Sequence, residues 1–220
     1  MPIGLSILIE VTGFTFMALF VARIGANAVA GHQIAVNMVS LMFMMPLAIG
    51  NATSTLVAQR LGAGDRNDAR GLGWAGLEIG VLIAAAFGSA VYLLRGPLVG
   101  LYTGDAVIVA AALPLLAWVA LFHVADAAQA IAAFVLRAYW ITVIPLVFYV
   151  LAIWGIGLAG GYVVAFELAG PSPEFMRGTP GFWSMATLGL GVAGIGMALF
   201  LAWKLNGERR PAPLPDAPAV

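Results

Sequence analysis

The sequence predicts an all-α membrane protein, a bundle of six transmembrane helices, from three observations. Of its 220 residues 62% are hydrophobic and only 9% charged, with a mean hydropathy of +1.01. A water-soluble domain carries about 25% charged residues. The apolar runs are long, near or above the roughly 20 residues that one bilayer crossing requires. They also lack the roughly ten-residue alternating segments of a membrane barrel, which leaves helices, whose backbone hydrogen bonds close internally in lipid.

The spans follow in order. The first, about Ile3–Ala22, ends at Arg23-Ile-Gly25. The second, about Ala28–Gln59, would be on the order of 48 Å long and must protrude from the hydrocarbon. Pro46 lies inside it, cannot bond back to Met42, and predicts a kink. Gly62-Ala-Gly64-Asp65 stops that helix, and the charged joint Asp65-Arg-Asn-Asp-Ala-Arg70 follows. The third span, about Leu72–Leu94, closes at Arg95-Gly96-Pro97, with a turn or interfacial stretch up to Asp105. The fourth is about Val107–Ala138, the fifth about Thr142–Phe166, and the sixth about Phe182–Lys204 after a Pro-rich joint. These make one transmembrane lobe, residues 1–206; the Pro-rich tail, 207–220, is expected to be disordered and cytoplasmic.

Arg60, Arg66, Arg70, Arg137, Lys204, Arg209 and Arg210 fall on one side of this topology, against Arg23, Arg95 and Arg177 on the other. The excess predicts both termini in the cytoplasm. Met1-Pro2 offers no basic leader before the first apolar run, and so abrupt a start predicts a segment upstream. Net charge is zero, giving no basic field for nucleic acid, and the absence of cysteine excludes disulfides and thiolate metal sites.

Two carboxylates stand out because each interrupts an apolar span. A charged side chain at the bilayer centre costs about 2.5–3.5 kcal/mol on insertion scales, so it usually faces a cavity or a cation. Glu10 lies on a small, partly polar stripe with Ser6, Gly13 and Phe14. Asp126 lies near the middle of the fourth span and shares a helix face with His123 and Gln129. Both acids are expected to form an ion or proton site. The second helix adds a polar stripe, His32, Gln33, Asn37 and Ser40, which fits a cavity lining or a packing seam.

Enzyme signatures fail. Gly189-Leu-Gly191-Val-Ala-Gly194 has the dinucleotide spacing but no preceding strand, and reads as close helix packing, as does Gly157-x-x-x-Gly161. No serine stands in a G-x-S-x-G elbow, and no His/Cys cluster suggests zinc. The chain is predicted not to be an enzyme and to need no cofactor beyond the ion or proton that the two acids would hold.

Several separated motifs carry a resemblance. Ala30-Gly-His-Gln-Ile-Ala-Val-Asn37, then Met45-Pro46 and Gln59-Arg-Leu-Gly-Ala-Gly-Asp65, resembles the MATE family of multidrug and toxin extrusion transporters, in its NorM-type branch. Pro2-Ile-Gly-Leu-Ser6 leading into Glu10 is similar to that family's seventh helix, and Asp126-Ala-Ala-Gln129 to its tenth. The resemblance implies the C-terminal six-helix lobe of a two-lobed antiporter in the bacterial inner membrane. Such a protein exports cationic drugs in exchange for Na+ or H+. It further implies that Glu10 and Asp126 bind the coupling ion, sodium included, and that Gln33, Asn37, Phe122 and Gln129 line the substrate cavity. An N-terminal lobe, absent from this chain, would be the partner. Two departures are visible. Phe122 stands where some relatives have a tyrosine, and Arg137-Ala-Tyr139-Trp-Ile141 replaces a charged joint. Two other readings compete: a membrane scaffold that transports nothing, and a flippase for lipid-linked sugars. The latter would want several cavity-facing basic residues.

Overall fold

In the computed structural model, which describes residues 2–207, the chain is helical with no strand among those residues. The elements are α1 (Pro2–Ala22), α2 (Ala26–Gly62), α3 (Arg66–Leu93), α4 (Arg95–Gly100) and α5 (Ala106–Ala138). There follow α6 (Val143–Val150), a π-helical stretch (Leu151–Gly160), α7 (Gly161–Ala165), a 3-10 turn (Glu174–Met176) and α8 (Thr179–Gly207). Five helices are long and apolar enough to cross a bilayer, α6 through α7 counting as one span, Val143–Ala165. The shorter apolar stretch Leu8–Ala22 of α1 is the sixth. The tail expected to be disordered lies, beyond Gly207, outside the described residues.

Several bounds differ from the sequence expectation, for local reasons. The charged joint after α2 is already helical from Arg66, because Asp65 caps it by accepting from the Asp68 amide at 3.0 Å. The reversal therefore shrinks to Ala63, Gly64 and Asp65, with Gly64 at φ 80°, a left-handed conformation that glycine adopts without steric cost. Arg60 and Asp68 close the turn with an exposed 2.7 Å ion pair, worth about 0–1 kcal/mol. The stretch after α3 forms α4 rather than a plain turn. Asp105 then caps α5, accepting from the Val107 amide at 2.8 Å. The sixth span starts at Thr179 rather than Phe182.

The fold is organised around α5, which packs against α2, α3 and α8. Its buried face runs from Ala112 through Leu116, Val119 and Ile131 to Leu136. Small residues let the backbones meet. An added Cβ at Gly31 would lie 3.1 Å from the Ala111 carbonyl carbon. One at Gly189 would collide with the Ala152 carbonyl oxygen, and one at Gly194 would come within 3.3 Å of the Gln129 amide. Gly191, by contrast, faces open space. The outer faces carry large apolar side chains, among them Leu82, Leu121, Leu151 and Leu199. In a membrane these meet lipid tails, which need no polar cover.

The π-helical stretch was not foreseen. Its one extra residue per hydrogen-bonded turn widens the helix beside α1 and α8. There the Trp154 indole Nε1 donates to the Ile9 carbonyl at 3.2 Å, fixing α1 immediately beside Glu10.

Candidate ion and substrate site

Four elements converge on a cavity of about 260 Å³ that receives both acids. Glu10 reaches it from α1, half-buried, and Asp126 from α5, with 6% of its surface exposed. Gln129, one turn along α5, lines the same space. Phe43 and Leu47 close it from α2. Tyr149, buried on α6, completes the polar wall, its hydroxyl donating to the Glu10 carboxylate. Glu10 and Asp126 are near enough to repel each other when both are ionised. The cavity runs along α5 to Arg137, whose guanidinium lies 4.5 Å from the Phe134 ring centroid.

The chemistry follows from this set. Two carboxylates in an apolar cavity need one positive charge or one proton between them, and the tyrosine and glutamine oxygens could fill the coordination of a hard cation. The space is roomy enough for several waters. No cluster of three His, Cys, Asp or Glu side chains suited to a tightly held metal exists among the described residues.

On the α2 N-terminal side the acids are sealed by aromatic rings. Phe14, one turn from Glu10, meets Phe122, one turn from Asp126, edge to face at 6.2 Å. Phe122 meets Trp183 of α8 at 5.6 Å, and the Trp183 indole donates to His32 Nδ1 at 3.3 Å. His32 and His123 are both buried. His32 thereby holds an aromatic layer in place rather than pointing at the acids.

The structure thus brings Glu10, Asp126 and Gln129 together and leaves three other candidates off this cavity wall. Phe122 is buried to 2% exposure inside the aromatic layer. Gln33 and Asn37 are exposed on α2, whose buried residues, Ile34, Ala35, Met38 and Val39 among them, lie on the other side of the helix, where α2 packs chiefly on α5 and α3. The Tyr102 hydroxyl donates to Asn37 Oδ1 at 2.7 Å. Conversely, Tyr149 and the cavity-lining position of Arg137 were missed. A tyrosine near a span end reads as an interface residue, and only the packing of α6 on α1 turns it toward Glu10.

Comparison with known proteins agrees with this architecture. The family model MatE matches residues 2–163. The chain is 39% identical over 207 residues to the probable multidrug resistance protein NorM of Aromatoleum aromaticum, covering 93% of this chain and 43% of the relative. It is 38% identical over 215 residues to the multidrug resistance protein MdtK of Pectobacterium atrosepticum, covering 96% and 45%. A crystal structure of MATE in the straight conformation superposes with a TM-score of 0.84 at 17% identity, over 94% of this chain and 45% of that one. The chain spans less than half the length of the curated relatives it matches. With its apolar helices, its six-span bundle and these matches, the chain is an integral membrane protein that belongs to the MATE family, in the NorM-type branch.

Proposed function

We propose that this chain acts as the C-terminal lobe of a multidrug efflux antiporter, exporting organic cations in exchange for Na+ or H+, and has no enzymatic activity. The observation that carries the reading is the meeting of Glu10 and Asp126, remote in sequence, on one cavity wall. Either acid alone would be an expensive defect in lipid; together they are a cation site. Sodium would be held by the two carboxylates with the Tyr149 hydroxyl and Gln129 as neutral ligands. A proton would sit on one carboxylate. Loading either ion removes the negative charge that attracts a cationic drug, so ion and drug compete and the exchange is coupled by linkage. Moving one positive charge inward gains about 2.3 kcal/mol per 100 mV.

The outward-facing polar positions of α2, Gln33 and Asn37 with Ser40, Asn51 and Thr55 beyond them, would then face the second lobe and line the drug path. The names and lengths of the relatives support this two-lobe reading. A lipid-linked sugar flippase fits less well. Among the lining residues Arg137 is the single cation, and it lies over an aromatic ring.

The test is ethidium efflux from bacterial cells expressing the chain alone or with a matching N-terminal lobe. Efflux is expected with both lobes present; none in either case, with both proteins inserted in the membrane, refutes transport. Glu10→Gln and Asp126→Asn are expected to abolish ion-coupled efflux while leaving insertion at wild-type levels, as read by membrane immunoblot.

A further inference from the structure

A second and larger hollow, about 1040 Å³, lies on the lateral face of the lobe, away from the acids. Its α3 wall runs from Ala85 to Leu93 and its α5 wall from Pro114 to Val124. At 1.5 Å per residue these walls are about 12–15 Å long, half of a roughly 30 Å hydrocarbon core. The floor is the helix crossing itself, where an added Cβ at Gly88 would lie 2.7 Å from the Ala120 carbonyl oxygen. Trp118, Leu121 and Leu93 give it apolar sides.

The polar groups gather at one end. Glu174 and Phe175, from the 3-10 turn before α8, overhang the groove there, and Glu174 is its one charged lining residue among the described residues. Glu174 is exposed and has no ion-pair partner among the described residues; its neighbour Arg177 is taken by Glu167 at 2.9 Å. Tyr92, on the α3 wall at the same end, carries the Arg95 guanidinium 4.2 Å from its ring centroid. Arg95 Nη1 donates to the Tyr92 carbonyl at 2.7 Å and meets no carboxylate among the described residues.

We propose that this groove is a binding site for one phospholipid bearing a primary ammonium, phosphatidylethanolamine in chemical class. An acyl chain lies along Trp118 and Leu121, the headgroup ammonium meets Glu174, and the phosphate lies on the side of Arg95. Three features select this occupant. The groove has the length of one leaflet, its body is apolar, and at its mouth stand an acid, Glu174, and, beside Tyr92, a base, Arg95, neither in an ion pair among the described residues, the charge pattern of a zwitterionic headgroup. A primary ammonium donates hydrogen bonds to a carboxylate, which a quaternary choline cannot do.

The experiment is native mass spectrometry of the purified, delipidated chain titrated with phosphatidylethanolamine, phosphatidylcholine or phosphatidylglycerol. The wild type is expected to take up one phosphatidylethanolamine in preference to the other two. Glu174→Gln is expected to cut that preference about fivefold, the worth of one exposed charge contact, and to leave phosphatidylcholine uptake unchanged. Ala117→Phe, which fills the groove, is expected to reduce uptake of all three. Equal uptake of the three lipids by the wild type, or an unchanged preference in Glu174→Gln, overturns the proposal. Should Ala117→Phe lose its folded gel-filtration profile, the exposed Glu174→Gln variant still decides. The readout is independent of drug efflux, so it stands or falls apart from the antiport reading.

Discussion

At the residue scale, Tyr149 defines how Glu10 is held. Its hydroxyl is the neutral hydrogen-bond partner of an acid in a mostly apolar cavity that also holds a second acid. Tyr149→Phe keeps the ring and removes that donor. In the two-lobe transporter it is expected to weaken coupling-ion affinity about five- to tenfold, measured as the Na+ or proton concentration giving half-maximal efflux, with maximal efflux retained. Unchanged ion dependence would place the hydroxyl outside the ion site. Trp140 supplies a second case. It closes α5 with φ 62°, while the Ile141 amide bonds back to the Leu136 carbonyl at 3.0 Å, and its side chain is 93% exposed. A left-handed backbone costs an L-residue roughly 1–2 kcal/mol, and glycine escapes that cost. Trp140→Gly is therefore expected to stabilise the α5 terminus by about 1 kcal/mol, read as a higher thermal midpoint in detergent. The two acids were legible in the sequence because charge in an apolar run has few explanations. Tyr149 was not, since its role depends on a neighbour from another span. Phe122 was read by its position one turn from Asp126, but its ring packs between Phe14 and Trp183 in the aromatic layer.

At the element scale, the six spans were legible because hydropathy and length leave little choice in a bilayer. Their ends were less so, since helix beyond the membrane depends on caps such as Asp65 and Asp105 rather than on apolar content. The π-helical stretch had no visible mark. Leu151–Gly160 is as apolar as its flanks, and its register is set by α8, whose Gly189 rests on the Ala152 carbonyl. That contact gives a prediction. Because a Cβ at position 189 meets backbone rather than a movable side chain, Gly189→Val is expected to cost about 1–3 kcal/mol and to lower the thermal midpoint. The same substitution at Gly191, where space is open, is expected to leave it near wild type. Equal effects at the two positions would show that helix propensity, not helix contact, is what valine disturbs.

At the scale of the whole molecule, the helix bundle presents two unlike faces. The large side chains Leu82, Leu121 and Leu199 belong to the lipid side, whereas α2 exposes Gln33, Asn37, Ser40 and Asn51. Polar groups that face outward on a membrane protein require water or a partner, so under the proposed two-lobe reading the α2 face is the one that would meet the second lobe. Cysteines placed at Asn37 and Asn51 are expected to cross-link to a co-expressed N-terminal lobe, and a cysteine at Leu82 is not. Cross-linking at Leu82 alone would reverse the assignment of faces. The aromatic layer of Phe14, Phe122 and Trp183 has an electrical consequence. Voltage across a membrane falls mainly where the dielectric is low. Were water to fill the cavity, most of the field would drop across the rings, and the acids would stay close to the potential of the compartment that water joins. The layer is thus an insulator in a circuit, and Phe122→Ala is its puncture. In proteoliposomes of the two-lobe transporter that variant is expected to pass Na+ or protons without drug, dissipating the gradient that exchange would otherwise use.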